Sequence, residues 1–313
     1  MNKHPFMRYA QRYMDSMIGV YAEISWNSVM RRFRRMERDL MALKEKNVIS
    51  TASPKRMTAE DVKQHLIYRK STGAGHSDIR HEISSMRGLF AFLENPAAEM
   101  CMSKNPQLKP KGRRGRLPSM PDDIYKKILV RSEEIDSDDR DMIRAYALVL
   151  LTLRAGNRNK EVRLANMEDL DTENWLFHII HTKGEGTYGH PRTIPIHPEV
   201  RPIIKRYLAL REKILNENSK ASKALFPTWT GKNEHLSSNS LRVIKSRVEK
   251  DINERFDLRM CRRTFGQQYK DAGADIETIS VMMGHASTKT TEEYYCRLSE
   301  RDAINNIREI WEK

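Results

Sequence analysis

The chain of 313 residues is 39% hydrophobic and 31% charged, the balance of a soluble globular protein with room for two cores and not of a disordered chain. No apolar run approaches the roughly 18 to 20 residues that span a bilayer, and residues 1–12 lack the apolar stretch of a signal peptide, so a cytoplasmic protein with no membrane partner is expected. Its 56 Lys and Arg against 42 Asp and Glu leave a formal charge of +14, which attracts a polyanion, nucleic acid being the usual one; charge names a class of partner and not a reaction.

Residues 24–47 predict a long amphipathic helix, because Val29, Phe33, Met36, Leu40 and Leu43 fall at three- and four-residue steps with basic residues between them. A second helix is expected from Thr58, whose hydroxyl can cap it while Glu60 and Asp61 sit at the positive end of its dipole. A third is expected over residues 77–93, with Ile79, Ile83, Met86, Leu89, Phe90 and Phe92 as its apolar stripe. Together these predict a compact all-helical unit over residues 1–102. Residues 103–118 differ: Pro106, Pro110, Pro118, two glycines, and Lys104, Lys109, Lys111, Arg113, Arg114 and Arg116 without one acid. This composition predicts an exposed, extended linker. It is either a solvated spacer or a strap along phosphates, and the clustered charge favours the strap, since it would release several counterions on binding.

Residues 119–313 predict a second domain of mixed pattern. Helices are expected over 121–134 and 140–153, then two short strands over 176–181 and 193–196 around a glycine-containing turn. Helices follow over 200–215, 240–253, 261–272, 276–283 and 290–295, and a last one over 300–311. Ala303, Ile304, Ile307, Ile310 and Trp311 give this last helix an apolar stripe, which either covers its own domain or docks on a neighbour. The fold class is therefore mainly α with a small β-sheet. Cys101, Cys261 and Cys296 are widely spaced and odd in number, which predicts reduced thiols. His178 and His181 have no evident third or fourth ligand, so no metal is expected. No glycine-rich phosphate loop ending in Gly-Lys-Ser/Thr is present, and no cofactor is expected.

Three blocks of residues carry the functional signal. The first holds Gly156, Arg158, Glu161, Val162, Leu164 and Asp169; the second holds Arg259, Arg262, Thr264, Phe265, Ala272, Gly273, Ala274, Gly284 and His285. The third is Thr290, Thr291 and Tyr294, with Tyr294 nine residues beyond His285. In this order and spacing they resemble the active-site blocks of the tyrosine recombinases, the phage integrase family, of Xer-like or archaeal type. The resemblance covers residues from about 121 onward, and the helical unit before it looks like the core-binding, DNA-binding domain of that family.

The resemblance implies an enzyme that breaks and rejoins DNA strands through a 3′-phosphotyrosine intermediate, with Tyr294 as nucleophile and Tyr295 as the competing candidate. A tyrosine nucleophile keeps the phosphate bonded to protein, so the energy of the broken phosphodiester is retained for resealing without metal or ATP. Attack by oxygen on a phosphodiester builds charge on the non-bridging oxygens, and fixed guanidinium groups stabilise it bidentately; Arg158 and Arg262 are the expected pair. By resemblance Lys183 protonates the departing 5′-oxygen, His285 hydrogen-bonds the scissile phosphate, and the run Arg192, Ile194, Pro195 and Ile196 marks the return strand. Arg259 departs from the pattern, because the family usually has His there. An arginine stays charged and accepts no proton, although it still binds phosphate, which leaves His285 or solvent to take the proton.

The expected partners are double-stranded DNA with an inverted-repeat-type recognition site and further copies of the chain, from dimer to tetramer on DNA, with the last helix as the oligomerisation element. The role is integration, excision or chromosome-dimer resolution. Two alternatives stay open at this point: a DNA-binding protein with a decayed active site, for which Arg259 argues, and a topoisomerase-like strand swivelase acting as a monomer.

Overall fold

The computed structural model describes residues 5–110, 117–182, 190–229 and 233–294 and the positions 304, 307, 308 and 311, with the backbone alone at Glu293 and Tyr294. The chain divides into two compact units, Met1–Gly115 and Arg116–Lys313. Among the described residues it is mainly helical with one three-stranded sheet, the expected class.

The first unit consists of α1 (Pro5–Ser16), α2 (Glu23–Glu45), α3 (Ala59–Ser71), α4 (His76–Phe92) and α5 (Ala97–Lys104). Its core is built from Phe6, Phe33, Met36, Leu40, Leu66, Leu89 and Phe90, each of which contributes about 1.5 to 3 kcal/mol of transfer free energy when fully buried. Thr58 caps α3 as its sequence predicts: its hydroxyl accepts from Asp61 N while the Asp61 carboxylate accepts from Thr58 N. A buried carboxylate joins three helices, since Glu82 of α4 accepts from Arg35 of α2 and from Arg69 of α3. Its neighbour Ser85 accepts from Arg32 at 2.7 Å.

The second unit packs around α7 (Arg140–Ala155), with α6 (Asp122–Glu134) before it and α8 (Asn159–Leu164) after it. The run from Ala145 to Leu151 is buried at every position, as a helix surrounded on all sides must be. An antiparallel sheet follows: β1 (Leu170–Asp171), β2 (Leu176–Ile179) and β3 (Arg192–Pro195), in that order, with Phe177 opposite Ile194 and both buried. Then come α9 (Arg201–Glu217), α10 (Ser238–Ile252), α11 (Leu258–Asp271), α12 (Ile276–Met283) and α13 (Thr288–Tyr294). Asp139, Ser237, Asp257 and Asp275 each accept a hydrogen bond from the backbone N–H three residues on and so start α7, α10, α11 and α12.

Several boundaries differ from the sequence expectation, for local reasons. Helices α10 and α11 begin earlier than residues 240 and 261 because Ser237 and Asp257 cap them, which brings Arg259 into the first turn of α11. Residues 103–108 are not extended. Helix α5 runs to Lys104, and a 3-10 turn over Pro106–Leu108 buries Leu108 in the core of the first unit, where apolar contact outweighs the local proline signal. Strand β2 stops at Ile179, before His181, and β1, α1, α5 and α8 were not anticipated. Cys101 and Cys261 are buried free thiols; Cys296 lies outside the described residues.

Candidate active site

Helix α7 ends at Gly156, whose φ of +59° lies in the left-handed region, where a Cβ would come within 2.7 Å of the Phe265 ring. Only glycine turns the chain there at no steric cost, and the turn aims the Gly156 carbonyl at Arg262, which donates to it at 2.6 Å. The next helix is capped by Glu161, whose carboxylate reaches back to Arg158 N at 2.8 Å. Gly284 ends α12 in the same left-handed conformation, φ +63°, against the side chain of Arg192.

These turns bring three arginines onto the end of α12. Arg192 donates through Nε to Met282 O at 2.7 Å, Arg262 through Nη2 to Met283 O, and Arg158 through Nη2 to Gly284 O at 3.0 Å. A helix C-terminus presents unpaired carbonyls and the negative end of its dipole, so cations are stabilised there. Glu161 balances the cluster from beneath: Arg158 Nη1 and Arg192 Nη2 each donate to it at 2.8 Å, and Arg262 Nη1 stands 4.0 Å away. Its side chain is fully buried, and the guanidinium groups more than offset the desolvation, holding the carboxyl at about 2. The arginine side chains differ in access, with 28% of Arg158 exposed against 4% of Arg262 and 6% of Arg192. Arg158 is therefore the guanidinium a ligand reaches first. Arg262 is held from within, its Nη1 and Nη2 donating to the Gly156 and Met283 carbonyls.

His285 follows directly. Arg262 Nη2 lies 3.0 Å from Nε2, and Thr291 Oγ1 lies 2.7 Å from Nδ1. Burial together with Arg262, Arg158 and Arg192 pushes the imidazole down to about 3, so it is neutral near pH 7. Thr291 is fully buried on α13, three residues before Tyr294.

The structure thus brings Arg158, Arg262 and His285 together. Arg259 lies one turn before Arg262, on the same face of α11, exposed and without a hydrogen bond among the described residues. Tyr294 ends α13 and is described by its backbone; Lys183 and Tyr295 lie outside the described residues. Glu161, Arg192 and Thr291 entered the sequence reading only as parts of a spacing pattern. The Arg-x-x-Glu interval from Arg158 to Glu161 was the available signal for one of them, because residues three apart on a helix face each other.

Basic surface also marks the first unit. A cleft of about 770 Å³ is lined by Arg31, Arg32, Arg34, Arg35 and Arg38 of α2 together with Asp78 of α4. Of the linker cations, Lys104 and Lys109 are exposed, while Lys111, Arg113, Arg114 and Arg116 lie outside the described residues. No helix among the described residues is long and apolar enough to cross a membrane.

Comparison with known proteins gives a consistent result. The phage integrase family model matches residues 119–301. Tyrosine recombinase XerC of Thermodesulfovibrio yellowstonii is 28% identical over 232 residues, covering 71% of this chain and 72% of the relative. XerC of Neisseria meningitidis serogroup B is 26% identical over 274 residues, covering 84% and 82%. In fold, the chain is similar to the Tn1549 transposon integrase solved with transposon right end DNA, at a TM-score of 0.70, 16% identity and coverage of 97% and 99%. It is similar also to XerH recombinase bound to a palindromic difH substrate, at a TM-score of 0.68, 17% identity and coverage of 93% and 80%.

Proposed function

Since the chain belongs to the phage integrase family, we propose that it is a site-specific recombinase that cuts and reseals double-stranded DNA through a 3′-phosphotyrosine bond. The observation that carries this reading is the convergence of Arg158, Arg262 and His285 on the end of α12, with α13 and its terminal Tyr294 tethered to the same point through Thr291. The Tyr294 oxygen attacks phosphorus and the bond to the 5′-oxygen breaks; Lys183 supplies the proton that oxygen takes. Arg158, Arg262 and Arg259 hold the non-bridging oxygens, whose charge grows in the transition state. Resealing reverses each step.

The XerH and Tn1549 relatives are described as DNA complexes, one of them on a palindromic site. By extension this chain takes an inverted-repeat-type DNA site and assembles on it from dimer to tetramer, in the cytoplasm. The arginine-lined cleft of the first unit supports a DNA-binding role for residues 1–102, and the cations of 103–118 a role along phosphates. Ile304, Ile307 and Trp311 are exposed at 48%, 49% and 77%, which supports docking on a neighbouring copy of the segment expected as a helix over 300–311, most of which lies outside the described residues.

The test is covalent trapping on a library of nicked duplexes with randomised flanks, followed by denaturing electrophoresis, peptide mapping and sequencing of the captured DNA. Wild-type protein gives an adduct at Tyr294, and Tyr294→Phe gives none. An adduct that survives this substitution moves the nucleophile to Tyr295. Absence of any adduct with wild-type protein, alongside retained DNA binding, establishes the decayed-site alternative.

A further inference from the structure

We propose that Arg192 is a positioning residue for the cleavage step: it is the standing counter-ion of Glu161, and by filling that carboxylate it leaves the positive charge of Arg158 and Arg262 to the scissile phosphate. This rests on the recombinase reading above.

Arg192 opens β3, 31 residues beyond Glu161. Its Nη1 and Nη2 donate to Oε1 and Oε2 of Glu161 at 3.2 and 2.8 Å, a two-bond fork, while its Nε donates to Met282 O at 2.7 Å. The side chain is only 6% exposed, and a Cβ on Gly284 would stand 2.8 Å from its Nη1, so backbone closes over it on that side. A phosphate does not reach a group so enclosed. What Arg192 does for the reaction it does through Glu161.

An ionised carboxylate offers about four acceptor positions. Arg192 fills one on each oxygen, and Arg158 fills the others at 2.8 Å, with Nη1 on Oε1 and the backbone N–H on Oε2. The carboxylate is thereby complete, and Arg262 Nη1 stays 4.0 Å away, donating to Gly156 O. Electrostatics ranks the partners in the same order. Burial works to raise the Glu161 carboxyl, and Arg192 leads the groups that bring it down, ahead of Arg262 and the Arg158 backbone. Three guanidinium groups against one carboxylate, with His285 neutral, leave two positive charges unbalanced. They meet the negative charge on the non-bridging oxygens, which grows as phosphorus is attacked. Without Arg192 the carboxylate has two open positions, and Arg262 is drawn towards them. One unbalanced positive charge then remains.

Two measurements on the full-length chain test this. Single-turnover trapping on the duplex selected above, at saturating protein, falls on the order of 10²-fold in Arg192→Gln, the lower end of the loss when one transition-state donor is removed. Arg192→Lys keeps the charge and loses the fork, so its rate lies between Arg192→Gln and wild type; a rate equal to wild type overturns the proposal. In the double variant Arg192→Gln with Glu161→Gln no carboxylate is left to neutralise, and it traps faster than Arg192→Gln alone. A merely structural Arg192 gives losses that add. A double variant no faster than Arg192→Gln, each protein folded by thermal melting, therefore overturns the proposal also. The second measurement uses no DNA. Proton–nitrogen spectra of arginine-labelled protein, with the Arg262 guanidinium assigned by its loss in Arg262→Lys, show that signal shifting in Arg192→Gln and in Arg192→Lys and returning towards its wild-type position in the double variant. An Arg262 signal unmoved in the single variants overturns the proposal as well. A wild type that binds DNA and never forms an adduct refutes the recombinase reading instead, and the spectra then decide whether Arg192 keeps Arg262 off Glu161.

Discussion

Replacing Glu161 by Gln removes one negative charge from beneath three guanidinium groups, of which Arg192 and Arg262 are nearly inaccessible to solvent. The carboxyl sits at about 2 against an ordinary 4.5, which at about 1.36 kcal/mol per pKa unit corresponds to roughly 3 kcal/mol in favour of the charged form. Breaking a buried pair by neutralising one partner costs about 3 to 5 kcal/mol in general, because the other charge is left uncompensated. Both routes give a loss of about 3 kcal/mol or more. For a unit of this size each kcal/mol lowers the melting temperature by about 2 to 4 °C, so Glu161→Gln should melt about 10 °C lower, measured by circular dichroism. Glu134→Gln serves as control: its carboxylate pairs with Arg131 while half exposed, and such surface pairs contribute about 1 kcal/mol or less. If the two variants melt within about 2 °C of each other, the arginine cluster does not depend on Glu161 and the electrostatic account of the site is wrong.

Gly156→Ala should cost roughly 2 to 5 kcal/mol by chemical denaturation, combining the left-handed backbone with a Cβ pressed on Phe265; a loss under about 1 kcal/mol would show that the turn relaxes freely. The His285 imidazole is held at about 3 against 6.5, so between these values the unfolded chain binds a proton that the folded chain does not. Stability therefore rises with pH across that window, by at most about 1.4 kcal/mol per pH unit, and is lost as pH falls from 6.5 towards 3. Urea titrations between pH 4 and 7 should show this slope reduced in His285→Asn; an equal slope contradicts it. Arg259→His should retain adduct formation on trapped duplexes while Arg259→Ala loses most of it; equal loss in both would mark the position as specialised for arginine. Changing Lys104, Lys109, Lys111, Arg113, Arg114 and Arg116 together to Ala should lower the slope of log affinity against log salt, by about 0.9 for each phosphate that is no longer neutralised. An unchanged slope would assign the segment to a solvated spacer.

Local chemistry in the sequence determined most of the helices and the class of the fold, and it singled out candidate reactive groups. Phe33, Met36, Leu40 and Leu43 specify the buried face of α2 by spacing alone, and Thr58 with Asp61 specifies the start of α3, because capping involves residues three apart. Helix α5 and the turn at Leu108 escaped such reading, since burial in a core assembled from other helices overrode a proline-rich, basic composition. The spacing of His285 and Tyr294 placed both in one block, and Arg158 and Arg262 were legible by register. Their arrangement belongs to the tertiary structure. Gly156 and Arg262 are 106 residues apart, and Arg158 and Gly284 are 126 apart. No local pattern states that two glycine-ended helices would offer their last carbonyls to the same guanidinium group, that of Arg262, that Glu161 would lie beneath the arginine cluster, or that Thr291 would face the Nδ1 edge of His285. Those neighbours decide which arginine is open and which is buried, because such properties depend on solvent exclusion and on groups distant in the chain.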